Sequence, residues 1–474
     1  MSALWTAQDA ALATGAALVP QATWVAHGVS IDTRAVAPCD LFVALKGPRF
    51  DGHDFVDAAL ANGAAAAMVD RSMPNADPAR LLAVRDTQAG LEALAIAARA
   101  RSKARIVAVT GSVGKTGTKE ALAALLGAQG PTHASSGNLN NQIGMPLSLA
   151  RMPAASAYGV FEIGMNHAGE IAPLSAMLRP HVAIVTNVEA VHLEFFADVE
   201  GIADAKAEIF VGLGGDGTAI LNGDNPHFGR LAAAAKGRGV GNIWSFGEVD
   251  GAQGRLIAIA LDAAGSVVEA TILGQHVRFR LPLPGRHQAQ NALAVLLAVA
   301  AVGGDVMAAA HALEGLAPVK GRGVTSEVDI MGGSFKIVDE TYNASPAAVR
   351  AAVAVLSMTQ PICGGRRMVA LGDMLELGET SPTVHAGLAD ALIAAGIDRV
   401  FTAGPLMRHL QDALPAPMKG GHAEDSAVLA PVVAASAGPG DIVLVKGSAG
   451  SRMDKVVSAL KDRASVATEA SRAV

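Results

Sequence analysis

The sequence holds only two cysteines in 474 residues, Cys39 and Cys363. They lie far apart and outside any CxxC or Cys/His pattern. A disulfide framework and structural zinc are therefore not expected, and a reducing cytoplasm suits the chain. Charge of one sign is also scarce. A net charge of -6 gives no footprint for nucleic acid or an anionic membrane. Long apolar runs are missing too. The longest, Ala292 to Gly304, is too short to span a bilayer and reads as a buried helix. The opening MSALWTAQDA has no basic segment, and Asp9 falls where a signal sequence needs its apolar core. There is no short-period repeat and no low-complexity linker, and no GxGxxG occurs after residue 316. These absences predict a soluble cytoplasmic protein with no membrane span. Its length and its 51% apolar content predict two to four domains.

Short apolar runs between residues 27 and 82, such as LFVAL at 41–45, alternate with turn-rich pieces and predict a small α/β domain. The helical stretch TQAGLEALAIAARARSKA leads to a new unit. Strand-like runs at 105–111, 158–164, 181–188 and 217–223 then alternate with helical patterns. That rhythm predicts a parallel sheet covered on both faces. Residues 250–283 alternate more and contain turn signals, which predicts antiparallel hairpins at a sheet edge. From about 316 the α/β rhythm returns in FKIVDE, RMVALGD, RVFTAG and DIVLVKGS, as in a Rossmann-like, dinucleotide-binding type of domain.

One stretch, VAVTGSVGKTGTKE at 107–120, carries chemistry directly. Gly111, Ser112, Val113, Gly114, Lys115, Thr116 and Gly117 sit between a strand and a helix. Glycines let backbone N–H groups turn toward an anion, and the helix N-terminus adds its positive dipole end. Lys115 is expected to reach the outer phosphates of a nucleotide, and the Thr116 hydroxyl to hold Mg²⁺. The spacing departs from GxxxxGK[ST], because position 109 is Val.

Further stretches occur in one order: GNLNNQIGMPLSL at 137–149, FEIGMNHAGEI at 161–171, TNVEAVHLEFF at 186–196 and GIADAKAEIF at 201–210. With TGSVGKT they resemble the central domain of the Mur ligases, ATP-dependent amide-forming enzymes of peptidoglycan synthesis. DTRAVAPCDLFVALKGPRFDGHDF, DETYNASPAAV and GDMLELGE narrow the resemblance to the branch that adds D-alanyl-D-alanine to UDP-N-acetylmuramoyl-tripeptide. No DNPR-type motif is present, which argues against the branch that adds the third residue. A folylpolyglutamate synthase is the other rival within the superfamily. A nucleotide-dependent switch, the rival from another class, would not need Glu162, His192 and Lys206 together.

The resemblance implies three domains. They are a small N-terminal α/β domain for the UDP substrate (1–85), a central P-loop-type parallel-sheet ATPase domain (86–315), and a Rossmann-like α/β domain (316–474). The last closes over ATP and binds the amino substrate. It also implies a monomer using ATP and Mg²⁺, with two ions expected. Glu162, at a strand end, is a hard oxygen donor that suits Mg²⁺; alone it reads equally as a solvated strand-end carboxylate. By resemblance His192 helps bind the second metal, and Lys206 becomes a CO₂-derived carbamate that ligates metal. By itself Lys206 reads as a solvated helix lysine.

Asn138, Asn140 and Asn141 read alone as a turn and by resemblance as a substrate and phosphate-side loop; Asn166 and His167 are expected in the same cleft. Leu139 and Gln142 depart from the usual pattern there. Asn291 is expected to face adenine, with His287 nearby, although Gln288 replaces an asparagine. Lys320 and Arg322 mark the hinge into the third unit, and Arg322 is expected at a nucleotide phosphate. Asp339 is expected at the ribose or as a helix cap, Tyr342 and Asn343 at the reacting site, and Lys446 at a carboxylate or phosphate. Thr33, Arg34 and Lys46 are expected at uracil or the diphosphate.

Overall fold

The computed structural model describes residues 3–472 except 192, 263 and 363. His192 and Cys363 thus lie outside the described residues. A short antiparallel pair, β1 (Trp5–Thr6) and β2 (Val25–Ala26), opens the chain. A parallel sheet follows in the order β3 (Gly28–Ser30), β4 (Asp40–Val43), β5 (Ala66–Val69), β6 (Leu81–Ala83).

The second sheet has nine strands. They are β7 (Arg105–Thr110), β8 (Thr132–Ala134), β9 (Tyr158–Glu162), β10 (Val182–Val185), β11 (Thr218–Asn222), β12 (Asn242–Gly247), β13 (Gly254–Asp262), β14 (Gly265–Ile272) and β15 (Gln275–Leu281). Their spatial order is β15-β14-β13-β12-β11-β10-β7-β9-β8. β7 to β12 pair in parallel, and β13 to β15 form the antiparallel edge expected over 250–283.

A third sheet comprises β16 (Val324–Ile330), β17 (Gly333–Glu340), β18 (Arg367–Gly372), β19 (Arg399–Ala403), β20 (Lys419–Ala423) and β21 (Ile442–Lys446), in the order β16-β17-β21-β18-β19-β20. Among the described residues only the β16–β17 hairpin in it is antiparallel.

β7 shows why the central sheet is buried on both faces. Val107 and Val109 join Leu122, Leu125, Leu293 and Leu296 on one side. Ile106 and Ala108 join Phe161, Ile171 and Phe210 on the other. A strand with four consecutive apolar residues, 106–109, needs cover above and below, and the helices Lys115–Gly127 and Arg286–Ala301 supply one side of it.

The first two units are joined by apolar packing. The helix Thr87–Arg101, capped by Asp86 on the Ala89 amide at 2.7 Å, sends Leu91, Leu94 and Ala98 into the core that holds Met68 and Leu82. Leu147 and Ala150 of the helix Gly144–Ala150 enter the same core from the central unit. Trp5 Nε1 donates to Ala150 O at 3.0 Å, and Arg151 Nε to Val29 O at 2.6 Å. The third unit has its own cores on the two faces of its sheet. It reaches the central unit through polar contacts, including a Glu194 N–H donated to Glu376 O at 3.3 Å.

Candidate active site

A cavity of about 1710 Å³ lies between the carboxyl ends of the central strands and the third unit. This is where ligands sit in open parallel sheets. Residues 111–117 form its floor as β7 turns into the helix Lys115–Gly127. Gly111 has φ +147° and Gly114 has φ +86°. A Cβ on Gly111 would stand 1.9 Å from Thr186 Oγ1, so only glycine fits. The segment after β10 pins the loop from the side. Ser112 N donates to Asn187 O at 3.0 Å, Val113 N to Asn187 Oδ1 at 3.2 Å, and Thr186 Oγ1 to Val113 O at 2.6 Å. Glu189 N donates to Ser112 Oγ at 2.9 Å.

We expect Gly111→Ala to weaken ADP binding at least about 100-fold, because the loop must shift to admit the methyl group and leave a strained φ. Calorimetric titration with ADP measures this, and an unchanged affinity would show that the loop tolerates the shift.

Lys115 Nζ folds back onto Gly111 O at 2.7 Å. Burial pushes its pKa down, Glu162 opposes that, and Arg322 adds to the lowering. Thr116 Oγ1 donates to Glu162 Oε2 at 2.8 Å, while Asn140 Nδ2 donates to Glu162 Oε1 at 2.7 Å. Glu162, at the end of β9, is buried, and its amide donates to Ser135 Oγ at 3.1 Å. From the third unit, Arg322 Nη2 donates to Thr116 Oγ1 at 3.0 Å, and its guanidinium lies 4.1 Å from the Tyr342 ring centroid. The cleft is therefore bridged at the threonine of the phosphate loop.

Lys206 is 1% exposed and is not among the residues that line the cavity. Burial drives its pKa well below the ordinary 10.5, and the nearby positive Lys115 lowers it further. The side chain is thus a buried amine whose charged form is disfavoured, not a solvated surface group.

Asn291, His287 and Gln288 line the cavity from the helix Arg286–Ala301. Burial lowers the His287 pKa, with Glu340 opposing and Lys446 adding to it. Asn138, Asn140, Asn166, Tyr342, Asn343 and Lys446 also line it.

Other expected residues are placed elsewhere. The Asn141 side chain accepts from the amides of Ile143 and Gly144, so it shapes the start of the next helix. His167 is exposed, bound to Glu170 at 3.1 Å and packed 4.7 Å from Phe195. Asp339 lies on the opposite face of β17 from the cavity and accepts from Thr341 Oγ1 at 2.6 Å; period-two alternation turns Glu340 to the cavity instead. Lys446 is already paired, with Glu340 Oε2 at 3.0 Å and Asn343 O at 2.9 Å. Thr33, Arg34 and Lys46 lie in the first unit and do not line this cavity. Arg34 pairs with Asp32 at 2.6 Å, and Lys46 is exposed.

Some residues the motifs did not single out also build the site. Asp224 accepts from the amides of Glu248 and Val249 and from Gln290 Nε2, tying the β12 end to the adjacent helix. Its signal is the turn NGDNP after a strand. Lys119, fully buried one turn beyond Lys115, donates to Ser135 O at 2.6 Å. A lysine at i+4 of the loop lysine gives no warning of burial. Glu189, whose pKa burial raises against the pull of His227, follows a strand end as Glu162 does.

The donor chemistry fits magnesium. Thr116 and Glu162 offer hard oxygens beside a phosphate-binding loop. Among the described residues no three His, Cys, Asp or Glu side chains form a metal cluster.

Three family models match the chain. They are the Mur ligase family catalytic domain over 25–124, the Mur ligase middle domain over 109–299, and the Mur ligase glutamate ligase domain over 328–449. The UDP-N-acetylmuramoyl-tripeptide–D-alanyl-D-alanine ligase of Escherichia coli strain K12 is 38% identical over 92% of this chain and 93% of its own length. That of Rickettsia prowazekii is 32% identical over 96% and 99%. A crystal structure of MurF from Acinetobacter baumannii matches with a TM-score of 0.84 at 31% identity, covering 97% of this chain and 99% of the other. The MurF ligase of Thermotoga maritima in complex with ADP matches with a TM-score of 0.76 at 29% identity, covering 95% and 100%.

Proposed function

The chain belongs to the Mur ligase family, and from that footing we infer that it joins D-alanyl-D-alanine to UDP-N-acetylmuramoyl-tripeptide, converting ATP to ADP and phosphate, in peptidoglycan precursor synthesis. The observation that carries this reading is the bridged constellation at the cleft. Thr116 and Glu162 stand 2.8 Å apart beside the phosphate loop, and Arg322 reaches them from the third unit at 3.0 Å. The cytoplasm, with its ATP, is the compartment this chemistry needs. Among the described residues no helix is long and apolar enough to cross a membrane.

A carboxylate does not accept an amine at neutral pH. Transfer of the γ-phosphoryl group to the tripeptide carboxylate gives an acyl phosphate. The dipeptide amine then adds to its carbonyl carbon, and the tetrahedral intermediate expels phosphate as the C–N bond is kept. The protein must bring two anions together, neutralise their charge and exclude water. The loop amides of 111–117 and Lys115 take the phosphates, and Arg322 adds a second cation from the closing side.

Thr116 and Glu162 would hold Mg²⁺, which supplies charge neutralisation at the phosphates. Asn140 fixes the Glu162 carboxylate in its orientation. Lys206, as a carbamate formed from its neutral amine and CO₂ with release of a proton, would add an anionic oxygen. The second-metal role of His192 rests on the family resemblance. Asn291 and His287 line the adenine side of the cavity. Thr33, Arg34 and Lys46 remain our assignment for the UDP end, and Asn138, Asn166, Tyr342 and Asn343 for the peptide ends. Asp339 is a weaker choice for the ribose, because Thr341 already engages it.

Phosphate release with ATP, Mg²⁺, the tripeptide nucleotide and D-alanyl-D-alanine tests the reading. We expect release only when all are present, with a pentapeptide product by mass. Release without the two substrates would favour a nucleotide switch. Release with a different carboxylate and amine would overturn the substrates.

A further inference from the structure

We propose that a second cavity, at the amino ends of the central strands, binds a phosphate group at the end of the sheet opposite the phosphate loop. The cavity measures about 260 Å³. Arg105 begins β7, His181 directly precedes β10, and the Gly-Leu-Gly-Gly-Asp-Gly turn of 212–217 leads into β11. All three segments line it, together with Arg179. The turn has the spacing GxGxxG but stands before a strand, whereas the dinucleotide fingerprint follows one. β7 separates this cavity from Gly111 by roughly 20 Å.

The donors there lack protein acceptors. Ile106 N donates to His181 Nδ1 at 2.9 Å, which leaves the proton of the neutral ring on Nε2. Burial, with Arg105 and Arg99 adding to it, holds the His181 pKa down to about 4, against the pull of Asp216. The ring is therefore uncharged in neutral solution, and its Nε2–H has no acceptor among the described residues. Arg105 and Arg179 are exposed, and among the described residues neither side chain is in an ion pair or a hydrogen bond. Arg99 supplies the frame, with Nε donating to Leu178 O at 2.7 Å and Nη2 to Arg179 O at 2.9 Å. Arg179 ends the helix Ile171–Leu178 in a left-handed conformation, φ 46°, where glycine is the usual residue. Burial lowers the Arg99 pKa, and the charge of Arg179 lowers it further.

Three guanidiniums thus crowd around one cavity, and Asp216 is the single carboxylate lining it among the described residues. Uncompensated like charges favour an anion between them. A phosphate dianion offers this set two charges and several acceptor oxygens; a carboxylate offers one charge and two oxygens. The amides of Gly214 and Asp216, which line the cavity, also lack an acceptor among the described residues. The same chemistry comes from two sources, inorganic phosphate and a phosphate monoester.

The test follows the His181 ring by NMR in the full chain, with isotope-labelled histidines and His181→Gln to assign the signal. Mg²⁺ and a non-hydrolysable ATP analogue fill the cleft, and sodium chloride keeps the ionic strength constant. Inorganic phosphate, glycerol phosphate and acetate are titrated in turn. We expect saturable shifts with a Kd of about 1 mM or tighter for a phosphate, and binding of acetate at least about 10-fold weaker. The tighter of the two phosphates identifies the source, and equal affinities show that the phosphate group alone is read. Arg179→Gly and Arg105→Gln should each weaken binding at least about 10-fold. Glycine relieves the left-handed backbone at 179, so misfolding does not explain a loss there. Shifts that stay linear in phosphate, that acetate matches, or that survive both substitutions overturn the site and leave the ligase reading standing.

Discussion

Pentapeptide formation should fall about 1000-fold when Lys206 is replaced by methionine, while the folded protein becomes more stable. The activity loss follows from the carbamate role proposed for Lys206, whose anionic oxygen would be lost at the phosphate side, where single electrostatic contributions are worth factors of this order. The stability gain follows from the environment. Lys206 is 1% exposed and lies on the helix Val199–Ala207, where Ile202, Ala203 and Ala205 are buried too. An amine there lacks the hydration that the unfolded chain gives it, and methionine is an apolar replacement of similar length; we expect a gain of about 1 kcal/mol.

The pH dependence has a definite sign. Burial lowers the folded pKa below the ordinary 10.5, so the unfolded chain binds more protons in the window between the two values. Wild-type stability in CO₂-free buffer should therefore fall as pH drops through that window from 10.5, and the methionine variant should lack this slope. Thermal unfolding across pH, together with phosphate release, checks both halves. Full activity in the variant would remove Lys206 from the reaction.

Lys115→Ala should lower kcat about 1000-fold with a smaller change in the KM for ATP. In the structure the ammonium rests on Gly111 O at 2.7 Å, where desolvation lowers its pKa. Phosphate oxygens offer a stronger partner than a carbonyl, so the cation moves toward them and stands where negative charge builds up. Lys115→Arg should rescue little. A planar fork cannot enter the space of a compact ammonium folded over a glycine turn. Steady-state kinetics with the complete substrate set measures this, and a variant that loses only ATP affinity would show that the lysine binds rather than catalyses.

Strands buried on both faces are the legible part of the fold. RIVAVTG and HVAIVTNV announce themselves because nearly every position is apolar or small. β12, with the sequence NIWSFG, and β20, with KGGHA, do not; both carry polar or glycine positions and are defined by pairing partners far away in sequence. The loop 111–117 is legible down to its residues, because its chemistry is local. Asn141 and Asp339 read as ligand residues in the sequence and are engaged by neighbouring groups instead. An asparagine in a turn and an acid at a strand end have the same appearance in sequence whether they face a cavity or their own backbone. The alternation along β17 decides between Asp339 and Glu340, and its phase is set by the core below. Lys119 and Ser135, which support Glu162, are held by contacts across 16 and 27 residues, beyond the reach of any local pattern.

The unequal joints between the three units decide how the molecule can bend. The first two share one apolar core through Leu91, Leu147 and Met68, so separating them would expose hydrocarbon to water. The third is connected by the chain near Lys320 and held across the cleft by contacts such as Arg322 to Thr116, which water can replace at little loss. The protein is thus mechanically a two-piece tool with a single soft pivot. Anything that wedges the cleft moves the last third of the chain as one body, and leaves the phosphate loop and the first sheet locked together.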